Sequence, residues 1–150
     1  MQPTARWVVL EGLDRFIKAQ KCYYDTALKE VREGRKESHW IWYIFPQIKG
    51  LGYSTTAREY AIDGREEAIA FMQNPELRGH LIEISQALLD SEVADIADIF
   101  GYPDDLKVKS CMTLFMKVCP EEKIFSQVLD KYFEGEVDEK TVELLGYSSM

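Results

Sequence analysis

Hydrophobic residues along this chain recur mainly at steps of three and four, which is the period of an amphipathic helix. The first such stripe runs from Leu13 to Val31, and Gly34 is placed to end it. Asn74 followed by Pro75 is a helix-start signal, a capping residue and then a first-turn proline, and a leucine-rich stripe follows it. Both segments are therefore predicted to be helices.

Further stripes continue this pattern to the end of the chain. One helix is predicted from Asp104 to about Val118, another from Ile124 to Phe133, and a last one capped by Asp138. No linker, low-complexity tract or repeat divides the sequence. The prediction is an all-α fold, a compact single-domain bundle of about seven or eight short helices over residues 13–146, with an N-terminal extension at 1–12 and a tail at 147–150.

The segment SHWIWYIFPQIKGLGYS, residues 38–54, differs from the rest because five aromatic residues crowd into it. Ser38 is predicted to cap a short helix that Pro46 ends. Its inward side chains would be Trp40, Ile41, Ile44 and Phe45. A buried strand is the alternative, but no second strand-like run exists for it to pair with, and a single strand is unstable.

The same segment carries polar groups that a core helix does not need. His39, Gln47 and Ser54 bring hydrogen-bonding atoms next to the rings, a mixture typical of a small-ligand pocket wall. Because Trp42 is offset from Ile41 on the predicted helix, not all the rings can point inward together. At least one ring is expected to line a groove.

The predicted helix that starts at Asp104 has a second polar face. Ser110 and Thr113 are three residues apart, and Lys107 precedes Ser110 by about one turn. Two hydroxyls and an ammonium can hold a phosphate or a carboxylate. The alternative is that both hydroxyls bond back to helix carbonyls while Lys107 lies in water.

Catalysis, if it occurs, is assigned to His39 and Lys107. The imidazole of His39 would transfer a proton, and the ammonium of Lys107 would stabilise negative charge. No serine or cysteine lies in a recognisable nucleophile motif, and His39 and His80 lack metal-ligand spacing. No metal site is predicted, and the residues leave open whether the protein is an enzyme.

Charge and cysteine content narrow the classes of partner. The chain has 26 acidic and 18 basic residues, a net charge of -8, which disfavours nucleic acid. The apolar run from Trp7 to Leu10 is too short for a membrane span. Cys22, Cys111 and Cys119 match no zinc pattern and fit a reducing compartment, so a cytoplasmic location is expected, with Cys111 and Cys119 buried and unpaired.

The chain resembles the domain of unknown function 1810 family, found mainly in bacteria, from about Phe16 to Leu145. The resemblance rests on motif residues in both halves of the chain: Phe16, Ala19-Gln20, Gly34-Arg35-Lys36, Ser38-His39-Trp40, Phe45-Pro46-Gln47, Gly50-Leu51-Gly52, Ser54, Ile99-Phe100-Gly101, Asp104, Leu106-Lys107, Ser110 and Met112-Thr113-Leu114-Phe115. It implies an all-helical domain, with no established reaction and no cofactor.

These observations lead to one main hypothesis on function. The aromatic segment and the helix from Asp104 are expected to face each other across a groove for a small polar or phosphorylated metabolite, with nucleotide-derived compounds among the options. The expected lining is His39, Trp42, Gln47, Ser54, Lys107, Ser110 and Thr113. The alternative is a helical protein-protein interaction module without catalytic activity. The sequence predicts no oligomeric state.

Overall fold

The computed structural model describes the backbone of residues 6–146 and the side chains of residues 12–146. The all-α prediction is confirmed, with nine helices in this part of the chain against the seven or eight predicted. The helices are α1 (Arg6–Arg32), α2 (Ile41–Ile44), α3 (Thr55–Glu59), α4 (Arg65–Gln73), α5 (Pro75–Asp90), α6 (Ile96–Phe100), α7 (Asp104–Val118), α8 (Ile124–Phe133) and α9 (Glu139–Leu144).

Helix α1 is longer than its hydrophobic stripe predicted. It begins at Arg6, so residues 6–12 of the predicted N-terminal extension are helical, whereas residues 1–5 and the predicted tail at 147–150 lie outside the described residues. The helix ends as predicted at Gly34, which has φ +79°. The amide of Arg35 donates to the Glu30 carbonyl and that of Gly34 to the Val31 carbonyl, the pair of bonds that defines a Schellman stop.

The predicted caps at Asn74 and Asp138 are confirmed. Asn74 accepts hydrogen bonds from the amides of Glu76 and Leu77, both at 3.0 Å, at the start of α5. Asp138 accepts one from the Thr141 amide at 3.0 Å at the start of α9. Each cap satisfies first-turn N–H groups that have no partner inside the helix.

A row of phenyl rings joins the main helices in the core. Phe16 of α1 lies 5.5 Å from Phe71 of α4, Phe71 lies 5.1 Å from Phe115 of α7, and Phe115 lies 6.0 Å from Phe125 of α8, measured between ring centroids. All four side chains are fully buried. Helix α5 packs against α1 and α8, so a single hydrophobic cluster connects both halves of the chain.

The aromatic segment is helical at α2, and β-pairing is limited to one bridge within residues 6–146. Ile48 pairs in parallel with Ile62 through two hydrogen bonds, from the Ile62 amide to the Gln47 carbonyl and from the Lys49 amide to the Ile62 carbonyl, both 2.8 Å. This bridge fixes the backbone that follows α2 beside the chain between α3 and α4.

Cys111 and Cys119 are buried and unpaired, as predicted, and Cys22 is also free. Burial raises the pKa of the Cys111 thiol well above its ordinary value. Among the described residues, no helix combines the length and the apolar composition that crossing a bilayer requires.

Candidate functional site

The carboxylate of Glu30 organises the aromatic segment. It accepts hydrogen bonds from the amides of Glu37 and Ser38, from the Ser38 hydroxyl, and from the indole N–H of Trp40, at 2.7 to 2.9 Å. Burial alone would raise the pKa of Glu30, but these four donors outweigh it and lower the pKa to about 2. The chain after α1 is therefore held by one buried anion.

This arrangement corrects the predicted role of Ser38. Its hydroxyl binds Glu30 and does not cap α2, whose N-cap residue is Trp40, without a side-chain cap bond. The inward side chains were predicted correctly, since Trp40, Ile41, Ile44 and Phe45 are at most 2% exposed. Trp42 lies on the other side of the short helix and is half-buried.

A groove of about 490 Å³ lies between the aromatic segment and helix α7. Its lining includes five residues predicted for the site, namely Trp42, Gln47, Ser54, Lys107 and Ser110. Its volume falls within the range of small-molecule sites, about 300 to 1,000 Å³. Two segments about fifty residues apart in sequence thus share one concave surface.

Lys107 is the cation that lines the groove. Its Nζ lies 3.0 Å from Oδ1 of Asp104 and 4.6 Å from the centroid of the Trp42 ring. The second oxygen of Asp104 lies 3.0 Å from Nζ of Lys36, whose side chain is only 7% exposed. Two ammonium groups thus share one carboxylate, which leaves a local charge of +1.

The charge on Asp104 is stabilised by these lysines. Burial works to raise the pKa of Asp104, but the hydrogen bonds from Lys107 and Lys36 outweigh it, so the pKa is lowered. Asp104 therefore stays ionised at neutral pH. It was predicted only as a first-turn residue of α7, a position that the structure confirms.

Several polar groups of the lining have no partner among the described residues. The carboxamide of Gln47 and the indole N–H of Trp42 make no hydrogen bond within residues 12–146, although both side chains are half-buried. Ser54 caps α3 by accepting the Ala57 amide at 3.1 Å, and its own proton remains free to donate. Such groups are available to a ligand.

The hydroxyls of Ser110 and Thr113 bond back to carbonyls of α7, which was the alternative stated from the sequence. Ser110 donates to the Leu106 carbonyl at 3.2 Å and Thr113 to the Lys109 carbonyl at 2.8 Å. Thr113 also accepts the Asp138 amide at 2.9 Å and is fully buried. Ser110 lines the groove from this position, whereas Thr113 joins α7 to the start of α9 and does not line it.

His39 is not part of the groove lining. Its side chain is exposed and makes no hydrogen bond within the described part of the chain. His80 is half-buried, its Nδ1 lies 2.7 Å from the Gln20 amide oxygen, and its ring stacks on Tyr24 with 3.8 Å between the ring centroids. Neither His39 nor His80 is therefore among the residues that line the groove with Lys107.

The structure adds lining residues that the sequence interpretation missed. Tyr53, Tyr60, Pro103 and Leu106 all line the groove. Tyr53 is 81% exposed, which is unusual for a large ring. Its position between Gly52 and Ser54, two residue types common in turns, was the sequence signal for this exposure. Tyr60 follows Ala57 at helical spacing, and such spacing of apolar residues indicates a core position rather than a groove wall.

Metal ligands are not clustered in the described chain. No group of three or more His, Cys, Asp or Glu side chains within residues 12–146 has an arrangement that could hold an ion.

A family model described as "protein of unknown function (DUF1810)" matches residues 10–145 of this chain. The fold is also similar to the crystal structure of a conserved hypothetical protein from Mycobacterium tuberculosis, with 41% sequence identity and a TM-score of 0.87. That similarity covers 91% of this chain and 97% of the other. No curated protein sequence matches the chain.

Proposed function

Since this chain belongs to the DUF1810 family of proteins of unknown function, we propose its function from its own groove: it binds a small metabolite that carries a phosphate or a carboxylate. The observation that carries the proposal is the meeting of Lys107 with Trp42 and Gln47 on one concave surface of about 490 Å³. A cavity that combines rings with a few convergent polar groups is typical of a ligand site.

The charge at the groove favours an anion. Asp104 occupies one side of the Lys107 ammonium, and an ammonium has three N–H donors, so others remain for a ligand. The side chain of Lys107 is 25% exposed, which leaves it within reach and partly shielded from water. In such a position a charge-assisted hydrogen bond is stronger than one in bulk solvent.

The acidic character of the whole protein limits the size of this anion. With a net charge of -8, a polyanion would be repelled over most of the surface. A compact ligand that places one anionic group at Lys107 avoids most of this repulsion, because charges beyond about 8 to 10 Å are screened at physiological salt. The proposal therefore concerns a metabolite and not a nucleic acid.

The proposal is one of binding. A proton transfer by His39 is not part of it, because that imidazole does not line the groove. Any reaction would need its proton-transfer group from the lining itself or from the ligand.

The test compares two lysines of α7. Lys107→Met removes the ammonium of the groove, and Lys109→Met is the matched control, because Lys109 is similarly exposed at 21% but lies 3.8 Å from Glu136 and outside the lining. Thermal unfolding is measured with inorganic phosphate, ribose 5-phosphate and succinate. Binding in the groove is followed by the chemical shift of the Trp42 indole N–H resonance.

At least one probe is expected to raise the unfolding midpoint of the wild type and of Lys109→Met, and not that of Lys107→Met. General stabilisation by phosphate as a co-solvent would raise all three midpoints equally. That result, or the absence of any shift at the Trp42 indole with all three probes, would count against the proposal.

The geometry of the groove favours ligand binding over the alternative function, a helical protein-protein interaction module. Its expected surface is a flat or convex apolar patch, whereas the exposed ring of Tyr53 and the exposed Leu106 border a concave groove that also contains Lys107 and Gln47.

A further inference from the structure

The groove has features that point to the class of its ligand beyond the anionic group. Three aromatic rings, those of Trp42, Tyr53 and Tyr60, belong to its lining. Tyr60 is held in place by edge contacts, at 4.6 Å to the Tyr43 ring and 6.1 Å to the Phe16 ring. It is a fixed part of the wall, because Phe16 is fully buried and Tyr43 packs against the hydrophobic core.

Tyr53 differs from these packed rings. It is 81% exposed and forms no ring contact or side-chain hydrogen bond within residues 12–146. A tyrosine in this state contributes nothing to the core, yet it presents a π-face at the edge of a cavity. A planar ring that entered the groove would cover apolar surface of Tyr53 and gain stacking energy.

Gln47 presents a carboxamide from a rigid backbone. The backbone carbonyl oxygen of Gln47 accepts the Ile62 amide at 2.8 Å, and the Lys49 amide, two residues later, donates the second bond of the bridge. The side-chain amide has a donor and an acceptor side by side, both without partners among the described residues. Such an amide is complementary to the edge of a nitrogen heterocycle where a donor lies next to an acceptor, as in its pairing with adenine.

From the exposed ring of Tyr53, the free carboxamide of Gln47 and the ammonium of Lys107, we infer that the groove binds a purine-type nitrogen heterocycle joined to an anionic group. The heterocycle lies against Tyr53 with its polar edge at Gln47, and the anion lies at Lys107. The inference rests on the proposed function, since it uses the same groove and the same cation. It adds the ring as a recognised element. A volume of about 490 Å³ has room for a compound of the size of a mononucleotide.

The test separates the ring from the anion by using adenosine 5′-monophosphate, ribose 5-phosphate and adenosine. Dissociation constants are measured by calorimetry or by NMR titration for the wild type and for Tyr53→Ala, Gln47→Leu and Lys107→Met. Tyr102→Ala is the matched control, because Tyr102 is also 81% exposed and is not among the lining residues. The side chains of Tyr53, Gln47 and Tyr102 make no hydrogen bond or ring contact within residues 12–146, so folded variants are expected.

The nucleotide is expected to bind the wild type at least about fivefold more tightly than ribose 5-phosphate, the lower bound for stacking of one base on an aromatic ring. Tyr53→Ala and Gln47→Leu are expected to remove most of this difference and to leave the affinity for ribose 5-phosphate unchanged. Tyr102→Ala should behave as the wild type. Lys107→Met should weaken the nucleotide and ribose 5-phosphate and should leave adenosine unaffected.

Two results would overturn the inference, and they are distinguishable. If ribose 5-phosphate binds the wild type as tightly as the nucleotide does, the heterocycle is not recognised and only the anion site stands. The same follows if Tyr53→Ala and Gln47→Leu leave the ratio of the two dissociation constants unchanged. If neither a phosphorylated probe nor succinate depends on Lys107, the proposed function fails together with the inference.

Discussion

The indole N–H of Trp40 donates to the carboxylate of Glu30 at 2.9 Å, and neither side chain is more than 7% exposed. This bond fixes the buried tryptophan of the aromatic segment to the last turns of α1. The Lys36 ammonium lies 5.2 Å from the centroid of the same indole and reaches Asp104 at 3.0 Å. A series of hydrogen-bond, cation–π and ion-pair contacts therefore connects Glu30, through Asp104, with Lys107 in the groove.

Replacing Glu30 by glutamine is expected to destabilise the protein by about 2 to 3 kcal/mol. Glutamine presents one oxygen and an NH₂ group where four donors converge, so at least one buried donor loses its acceptor. The free energy of unfolding is measured with urea. Glu33→Gln is the matched control, since Glu33 is exposed just beyond α1 and should change stability by less than about 0.5 kcal/mol. Equal effects of both substitutions would contradict the assigned role of Glu30.

The lowered pKa of Glu30 predicts a pH dependence of stability. Its pKa is about 2 in the folded protein against 4.5 as its ordinary value, so the folded state gains stability from the ionised group. This contribution, about 3 kcal/mol, is fully present above pH 4.5 and is lost as the pH falls towards 2. The loss of unfolding free energy between pH 5 and pH 3 should be smaller in Glu30→Gln than in the wild type. Parallel pH profiles would show that the carboxylate is not stabilised.

Two helical glycines are expected to differ in how much stability they gain on substitution by alanine. A Cβ on Gly12 would lie 2.7 Å from Oε2 of Glu67 and 3.0 Å from Nη1 of Arg15. Those two side chains form an ion pair at 2.6 Å, in which the Glu67 side chain is 8% exposed. The added methyl would shift the ends of these two side chains, and this cost offsets the gain in helix propensity, so Gly12→Ala is expected to stabilise the protein less than Gly79→Ala.

Gly79 in α5 provides the control, because nothing lies within 4 Å of the position that a Cβ on this residue would occupy. Gly79→Ala is expected to raise stability by about 0.5 to 1 kcal/mol through helix propensity alone. Thermal unfolding of both variants gives the comparison. An equal gain from the two substitutions would mean that the Arg15 and Glu67 side chains move aside without cost.

The shared carboxylate of Asp104 predicts an effect on binding. Asp104→Asn changes the charge of the cluster with Lys36 and Lys107 from +1 to +2, so the affinity for ribose 5-phosphate should rise severalfold and fall more steeply with added salt. Asp98→Asn, at an exposed position of α6, is the control for the change in net charge. An unchanged affinity measured by titration at low salt would place the anion away from Lys107.

The sequence by itself determined most of the helices, because the signals for a helix are local. The stripe after Leu13, the stop at Gly34 and the caps at Asn74 and Asp138 depend only on residues within a few positions of one another. The burial of Trp40 and Phe45 also followed from their spacing. The start of α1 did not follow from the sequence, because the helix continues through Gly12, which precedes the stripe. A single glycine costs a long helix only about 1 kcal/mol.

The tertiary structure alone decided which polar groups meet. Ser110 and Thr113 share a face of α7 as their spacing predicted, but the run from Ser110 to Phe115 is buried on every side, so Thr113 meets α9 and not the groove. Likewise, the positions of His39 outside the groove and Tyr53 at its edge depend on how short segments pack against distant helices. Periodicity specifies the direction of a side chain from its own helix, whereas the partner that it meets is set by contacts between residues far apart in the sequence.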